Sequence, residues 1–546
     1  MAGGVADAAN GHGVERTTSR GTIVHTANRG MSEAAVEITS GPMDQHEAQT
    51  ALPVTSDLRR HLMAILTIFG NLLQMVVNFS GLGGGFELGK LLGASTANAQ
   101  WIAASYGLTQ GAFVLIAGPI GAVYGHKNML IYGTLWLGVC NLVCGFCDNF
   151  IAFVIMRALA GIGGGFIMPN AVAILTITNP PGPTRNLLLG FFGASAPLGG
   201  WLGALFLGLF QQYTAYKWFF LLIFLLCTVT ALALNMLIPH EVPVNRHGKL
   251  DWTGAGLVVA ALILFCFAWN QAAGAGWSDA AVITCLIVSI VLLGLFLGWE
   301  QYVAPHPIMP LSIFKAPSFG VLILVVLFNF MAVGIFCWYQ VLWLQEIWNW
   351  SLLHFALSWT PFVICAIAAA SLSAWLVPRL DAQWILAIGT LTILAACLLM
   401  ATLTERRIYW PQVFPSVVLY AFSPDLVYTA AQIIASNSVG RQHQGTAGSL
   451  ISVLNLYGVS LGLGFAGTIE VQTNDHGRNK VLGFRAALYF GVAIAAVAVL
   501  VDVFFIRCVK DKKRGWDESD LIQVDQELED RATTSGASPL TASNRV

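Results

Sequence analysis

The sequence runs to 546 residues, of which 56% are hydrophobic and only 10% charged, with a mean hydropathy of +0.70. Soluble domains carry about 25% charged residues, so this composition excludes a soluble enzyme or binding module. A net charge of −1, with no basic block beyond one short membrane-flanking cluster, gives no sign of a nucleic-acid partner, and none is expected.

Residues 1–57 are rich in Gly, Ala, Thr and Ser and are expected to be a disordered cytoplasmic tail. The first long apolar run begins near Leu62, so no cleavable signal is expected and the first span serves as the insertion signal. A helix needs about 20 apolar residues to cross a bilayer. Runs of that size fall near 62–83, 100–121, 128–147, 150–175, 187–210 and 217–238. A pair follows near 254–271 and 280–299, then six more near 319–341, 352–377, 384–403, 412–434, 446–469 and 486–507. The expected fold is therefore an all-α integral membrane protein with 14 transmembrane helices. Its units are six helices in 58–240, an inserted pair with cytoplasmic loops in 241–318, six helices in 319–509 and a disordered cytoplasmic tail in 510–546.

Basic residues orient the spans. With both termini cytoplasmic, the inner side holds fourteen Lys and Arg near the membrane, among them Arg59, Arg60, Lys127, Arg185, Arg246, Lys249, Lys315, Arg379, Arg441 and the cluster from Arg507 to Arg514. The outer side holds seven: Lys90, Lys217, Arg406, Arg407, Arg478, Lys480 and Arg485. The two sets of six spans also read as weak repeats. AGPIGAVYGHKNMLIYG bridges spans 2 and 3 as AWLVPRLDAQWILAIG bridges spans 10 and 11, and the glycine-rich fifth span, GFFGASAPLGGWLGALFLG, answers the thirteenth, GSLISVLNLYGVSLGLGFAG. Two halves around a midplane path are a transporter plan.

Three stretches sharpen this. The loop Gly118-Pro119-Ile120-Gly121-Ala122-Val123-Tyr124-Gly125-His126-Lys127 resembles the loop signature of the major facilitator superfamily, G-x-L-x-D-x-x-G-R/H-K/R. Arg157 to Gly165 in span 4 resembles its second motif, R-x-x-x-G-x-G. Gly193, Pro197, Gly199, Gly200 and Gly203 in span 5 resemble the G-P-x-x-G-G signature of its antiporter branch. Fourteen spans with a central pair are similar to the fourteen-span drug:proton antiporter family. SYGLTQGAFVLIAG, RALAGIGGGFIMPNA and YTAAQIIASNSV look like its fungal aminotriazole-resistance and low-affinity ammonium transporter group. The resemblance covers about 58–509 and implies the major facilitator fold, with Gly118, Gly121, Gly125, His126 and Lys127 as a gating loop and a sealing role for the span-5 glycines. Two departures stand out. Ala122 occupies the usual Asp of the loop, and Gln74 stands in the Gln74-Met75-Val76-Val77-Asn78 stretch where the family often carries an acid.

Two ionisable groups within spans are the proton-coupling candidates. Arg157 is the one Lys or Arg inside a span, a costly placement unless it faces a polar interior. Asp425, in span 12, is the carboxylate well away from both ends of a run, with Ser423 and the backbone beside Pro424 as alternative structural partners. Glu300 and Asp502 lie at span edges. The candidate substrate cavity is sketched by Asn78, Gln110, Asn170, Asn329, Trp338, Gln340, Trp359, Tyr428, Gln432 and Asn455, for each of which interhelical hydrogen bonding is the competing role.

Other patterns carry less. Gly84 to Leu91 nearly spells a phosphate loop, but Leu91 stands where Ser or Thr must hold magnesium, so no ATP is expected. Cys140, Cys144 and Cys147 share a helix face without polar partners and read as packing rather than metal ligands. No His cluster supports an enzyme. The expected partners are the lipid bilayer, a small-molecule substrate and protons; no cofactor or metal is expected, and the protein is expected to be a monomer. The expected task is proton-coupled efflux of a small organic compound, xenobiotic or secondary metabolite, at the plasma or the vacuolar membrane. Facilitated transport of ammonium or borate and a non-transporting nutrient sensor are the rivals.

Overall fold

The computed structural model describes residues 57–179, 183–239, 243, 250–305, 307–309, 311–315, 318–377, 379–405, 408–438, 444–474 and 478–506. The two expected tails lie outside these, apart from Asp57 at the start of the first helix. Arg246, Lys249, Arg406, Arg407, Arg441 and the basic cluster from Arg507 also lie outside.

Among the described residues, fourteen helices are long and apolar enough to cross a membrane. The first six are α1 (Asp57–Leu91), α2 (Thr96–Tyr124), α3 (His126–Phe146), α4 (Phe150–Thr178), α5 (Pro183–Tyr213) and α6 (Tyr216–Leu237). The pair α7 (Trp252–Ala275) and α8 (Ala280–Tyr302) follows, then α9 (Phe319–Leu342), which continues through one π turn (Trp343–Ile347). The tenth span is split into α10a (Leu352–Ser358) and α10b (Thr360–Leu376). The last four are α11 (Ala382–Ala401), α12 (Val413–Ser438), α13 (Gln444–Thr473) and α14 (Lys480–Phe505).

The ends have local causes. Ser95, Asn149, Asp251, Asp279 and Asn479 each accept a hydrogen bond from a first-turn N–H, satisfying donors that a helix start leaves open. Gly125 turns from α2 into α3 at φ 95, where a side chain would be strained, while its N–H closes on Gly121 O. The single apolar run at 352–377 reads as one span, yet Pro361 lacks the N–H that would bond Leu357 O. The hydroxyl of Thr360 donates to that carbonyl instead, at 2.7 Å, and the helix restarts.

The two sets of six pair their helices alike. α1 packs on α5 and α6, α2 on α4, and α3 on α4 and α6. In the second set α9 packs on α13 and α14, α10b on α12, and α11 on α12 and α14. In lipid no hydrophobic drive pushes helices together, so close backbone approach must be built in with small residues. A Cβ on Gly199 would lie 2.8 Å from Leu72 O, and one on Gly203 would overlap Val76 O. Gly458 and Gly462 of α13 meet Phe330 and Met331 of α9 in the same way. Pro197 sits within α5, buried, and the helix continues through it. Gly193, by contrast, has open space around it.

The inserted pair lies on one flank. α7 reaches both halves: Asn270 Nδ2 donates to Ser460 O at 3.1 Å, Gln100 Nε2 donates to Asn270 O at 3.4 Å, and Trp269 stacks on Phe465 with centroids 3.7 Å apart. α8 turns most of its surface outward, with 17% of its span buried.

Four side-chain hydrogen bonds join the two halves directly among the described residues. Ser460 Oγ donates to Ala104 O (3.0 Å), Trp201 Nε1 to Ala356 O (3.0 Å), Gln345 Nε2 to Gly83 O (2.8 Å) and Thr96 Oγ1 to Glu346 (3.3 Å). All four lie toward the end opposite the termini. Gly84 against Leu207 and Leu352, and Gly208 against Leu353, close the same region. The molecule is thus shut at the end opposite the termini.

The glycine seams make a direct prediction. Gly203→Ala should destabilise the protein by about 1–3 kcal/mol through overpacking against Val76. Gly193→Ala should leave stability unchanged or slightly higher. Thermal unfolding of the purified variants checks this; equal melting of the two would contradict the seam.

Candidate functional site

Arg157 lies about 10 Å into α4, at 1.5 Å per residue. Its guanidinium is 1% exposed and is spent on backbone: Nε donates to Ile102 O (2.9 Å), Nη1 to Val77 O (2.9 Å) and Nη2 to Asn78 O (3.3 Å). Its Cζ stands 5.4 Å from the Tyr106 ring centroid. A planar fork with several donors suits this three-carbonyl clip between α1 and α2. Gly81 leaves the room, since a Cβ there would collide with the guanidinium. No carboxylate pairs with Arg157 among the described residues.

Beneath it runs a chain of neutral amides. Gln110 Nε2 donates to Gln74 Oε1 (2.6 Å), Gln74 Nε2 to Asn71 Oδ1 (3.0 Å) and Asn71 Nδ2 to Ser195 Oγ (2.8 Å), while Tyr106 OH donates to Gln74 O at 3.3 Å. Gln74 links the chain without charge, its Oε1 accepting from Gln110 and its Nε2 donating to Asn71, while Gln110 Oε1 has no partner among the described residues. Asn71 and Ser195 went unnoticed in the sequence; a single Asn or Ser in an apolar run carries no pattern.

The loop motif has a tight physical role. His126 Nδ1 lies 2.8 Å from Asn170 Oδ1, and Asn170 Nδ2 donates to Phe166 O (2.7 Å). A Cβ on Gly121 would strike both side chains, so the glycine makes room for the α2–α3 turn against α4. Lys127 Nζ donates to Asn235 O (3.1 Å) and Ile238 O (2.6 Å), and Arg59 Nε to Leu237 O (2.7 Å). Two cations thereby cap the last turn of α6, where open carbonyls and the helix dipole favour positive charge. Gly118 has open space around it.

The C-terminal half holds a different array. Asp425 is near the middle of α12, partly exposed, and no hydrogen bond holds its carboxyl among the described residues. Ser423 bonds Asn329 Oδ1 (3.2 Å), so it is not the partner of Asp425. Pro424 lacks an N–H and so releases the Tyr420 carbonyl on the same turn. Tyr428 and Gln432 follow Asp425 at i+3 and i+7, on one helix face. Tyr428 OH lies 2.9 Å from Ser452 Oγ of α13, and Gln432 Nε2 donates to Gly448 O at 3.1 Å. Asn455, partly exposed, continues the α13 side of this strip.

The ten residues that sketch a cavity in the sequence divide in the fold. Tyr428, Gln432 and Asn455 are partly exposed beside Asp425, and Asn78 is 8% exposed. Gln110 and Asn170 are buried within their own half's hydrogen bonds. Asn329 and Gln340 are fully buried, with Asn329 Nδ2 and both Gln340 amide atoms unpartnered among the described residues. Trp338 packs on Gly85 of α1, and Trp359 joins an aromatic cluster with Phe355, Phe362 and Tyr420 at centroid distances of 5.1–5.5 Å. Glu470 is a further acid that the run-edge reading passed over: it is 6% exposed near the end of α13 and accepts a 2.8 Å hydrogen bond from Tyr339 OH.

The Arg157 clip makes a prediction about support. Arg157→Lys cannot span the three carbonyls, and each carbonyl left unpaired costs about 1–3 kcal/mol. The variant should melt well below the parent protein, as thermal unfolding of the purified proteins would read. An unchanged melting temperature would show that the three-carbonyl clip does not support the fold.

With the geometry in hand, comparison places the chain. The Major Facilitator Superfamily profile matches residues 63–463. The low affinity ammonium transporter of Saccharomyces cerevisiae is 32% identical over 426 residues, covering 76% of this chain and 82% of the relative. The efflux pump terJ of Aspergillus terreus is 30% identical, covering 81% and 86%. A crystal structure of a POT family transporter in complex with a thioalcohol-conjugated peptide superposes with a TM-score of 0.62 at 12% identity, over 81% of this chain and 96% of the other. The chain is a multi-pass membrane transporter of the Major Facilitator Superfamily.

Proposed function

We propose that this transporter exports a small organic compound, a xenobiotic or a secondary metabolite, by alternating access driven by inward proton flow. The observation that carries the reading is Asp425: a carboxyl at mid-helix, partly exposed, without a described hydrogen bond, and beside the Tyr428, Gln432 and Asn455 strip. A carboxyl in that position can take a proton on one side and release it on the other as the halves rock. Asn78, Tyr428, Gln432 and Asn455 are the residues proposed to meet substrate. Arg157 holds α1 and α2 in register rather than carrying the proton. The similarity to an efflux pump supports export.

The basic-residue bias favours both termini in the cytoplasm, so the closed end faces outward. The plasma membrane is the proposed location, with a monomer as the working unit. One proton moving down 100 mV supplies about 2.3 kcal/mol, enough for near fifty-fold accumulation of a neutral solute.

A second reading has its own support. The neutral Gln74–Gln110–Asn71 network and the similarity to an ammonium transporter favour facilitated flux of a small inorganic solute.

Flux in sealed vesicles tests both. Export should collapse when a protonophore is added. Asp425→Asn should lower proton-driven export at least about tenfold while substrate exchange continues. Flux that survives the protonophore selects the facilitated reading; full coupled export by Asp425→Asn rules out the carrier role.

A further inference from the structure

The end opposite the termini holds a cavity of about 290 Å³, which none of Asp425, Tyr428 and Gln432 lines. That is just under the range of roughly 300–1,000 Å³ typical of drug-sized ligands. Both halves build it. Phe86, Lys90, Thr96 and Ala99 come from α1 and α2, and Gln345 and Glu346 come from the π turn that ends α9. Such turns are rare and are frequent at functional sites.

The polar groups on its walls are half committed. Gln345 Nε2 is used on Gly83 O (2.8 Å), and Glu346 Oε1 receives Thr96 Oγ1 (3.3 Å) and Lys480 Nζ (2.5 Å). Gln345 Oε1 and Glu346 Oε2 are buried acceptors with no partner among the described residues, and Gln345 as a whole is 3% exposed. A buried acceptor left unpaired costs about 1–3 kcal/mol, so this wall favours a ligand with N–H donors. On the other wall Lys90 is exposed and makes no ion pair among the described residues. Glu346 and Lys480 neutralise each other, so Lys90 is the unpaired charge of these walls: it repels a bare cation and favours a carboxylate, while the open Gln345 and Glu346 oxygens favour N–H donors. A molecule carrying an ammonium and a carboxylate close together satisfies both walls.

We propose that this cavity binds a small zwitterion of the amino-acid type, its ammonium on Gln345 and Glu346 and its carboxylate on Lys90. Because Thr96 and Gly83 belong to one half and Gln345 and Glu346 to the other, the site exists only while this end is shut. Its ligand therefore stabilises the closed end and slows transport from that side, by the linkage that favours any state a ligand selects. The proposal stands apart from proton coupling.

Glycine is the probe, with methylammonium and acetate as its two halves, added to the purified full chain in detergent and followed by calorimetry and thermal unfolding. Glycine should bind saturably and raise the melting temperature, and each half-ligand should bind at least about tenfold more weakly. Glu346→Gln and Lys90→Gln should each weaken glycine at least about tenfold; Lys90 is exposed, so its variant keeps the fold even if Glu346→Gln does not. Methylammonium binding as tightly as glycine, glycine binding untouched by Lys90→Gln, or no saturable binding to the folded parent protein would each overturn the assignment.

Discussion

Backbone contact between helices, permitted by glycine, is the constraint on which the rest of this molecule depends. Gly199 and Gly203 bring α5 onto α1, and Gly458 and Gly462 bring α13 onto α9. In a bilayer, packing of this kind replaces the hydrophobic drive that holds soluble cores together. The two seams occupy matching places in the two sets of six helices, so each half is a firm body. Firm halves are what alternating access requires, since the motion must be concentrated between them.

Within that frame the two halves treat polarity differently. The N-terminal half holds Arg157 on three carbonyls, Gln74 among amides and His126 on Asn170, and leaves Ser105 Oγ and Gln110 Oε1 buried without a described partner. The C-terminal half keeps Asp425 without a described hydrogen bond and Gln340 with no described partner at either amide atom. The difference that remains is one of charge: the buried cation of the first half is held on carbonyls, while the mid-helix carboxyl of the second has no described hydrogen bond.

Much of this was legible in the sequence because bilayer thickness sets helix length, and apolar runs therefore announce spans. All fourteen spans are present, and the repeat between the fifth and thirteenth appears as matching glycine seams. Less legible was the tenth span, where one proline divides a continuous apolar run by removing a single N–H. The ten residues sketched as a cavity, eight polar and two tryptophans, could not be sorted either. Depth along a helix follows from residue number, but the direction a side chain faces within a bundle follows from which helices are its neighbours. Glu470 escaped for the same reason: near a run's edge it reads as solvated, yet Tyr339 from another helix covers it.

The sequence by itself determined the number, length and order of the helices, the membrane setting, the motif turn at Gly125 and the places where helices can touch. Each of these rests on local rules of hydropathy, φ and side-chain size. Only the tertiary structure decided that Arg157 grips carbonyls rather than an acid, that Gln74 centres an amide network, and that Glu346 and Thr96 meet across the closed end. Those outcomes depend on partners dozens to hundreds of residues away, and a charge or amide in a low-dielectric interior takes its character from whatever the fold sets beside it.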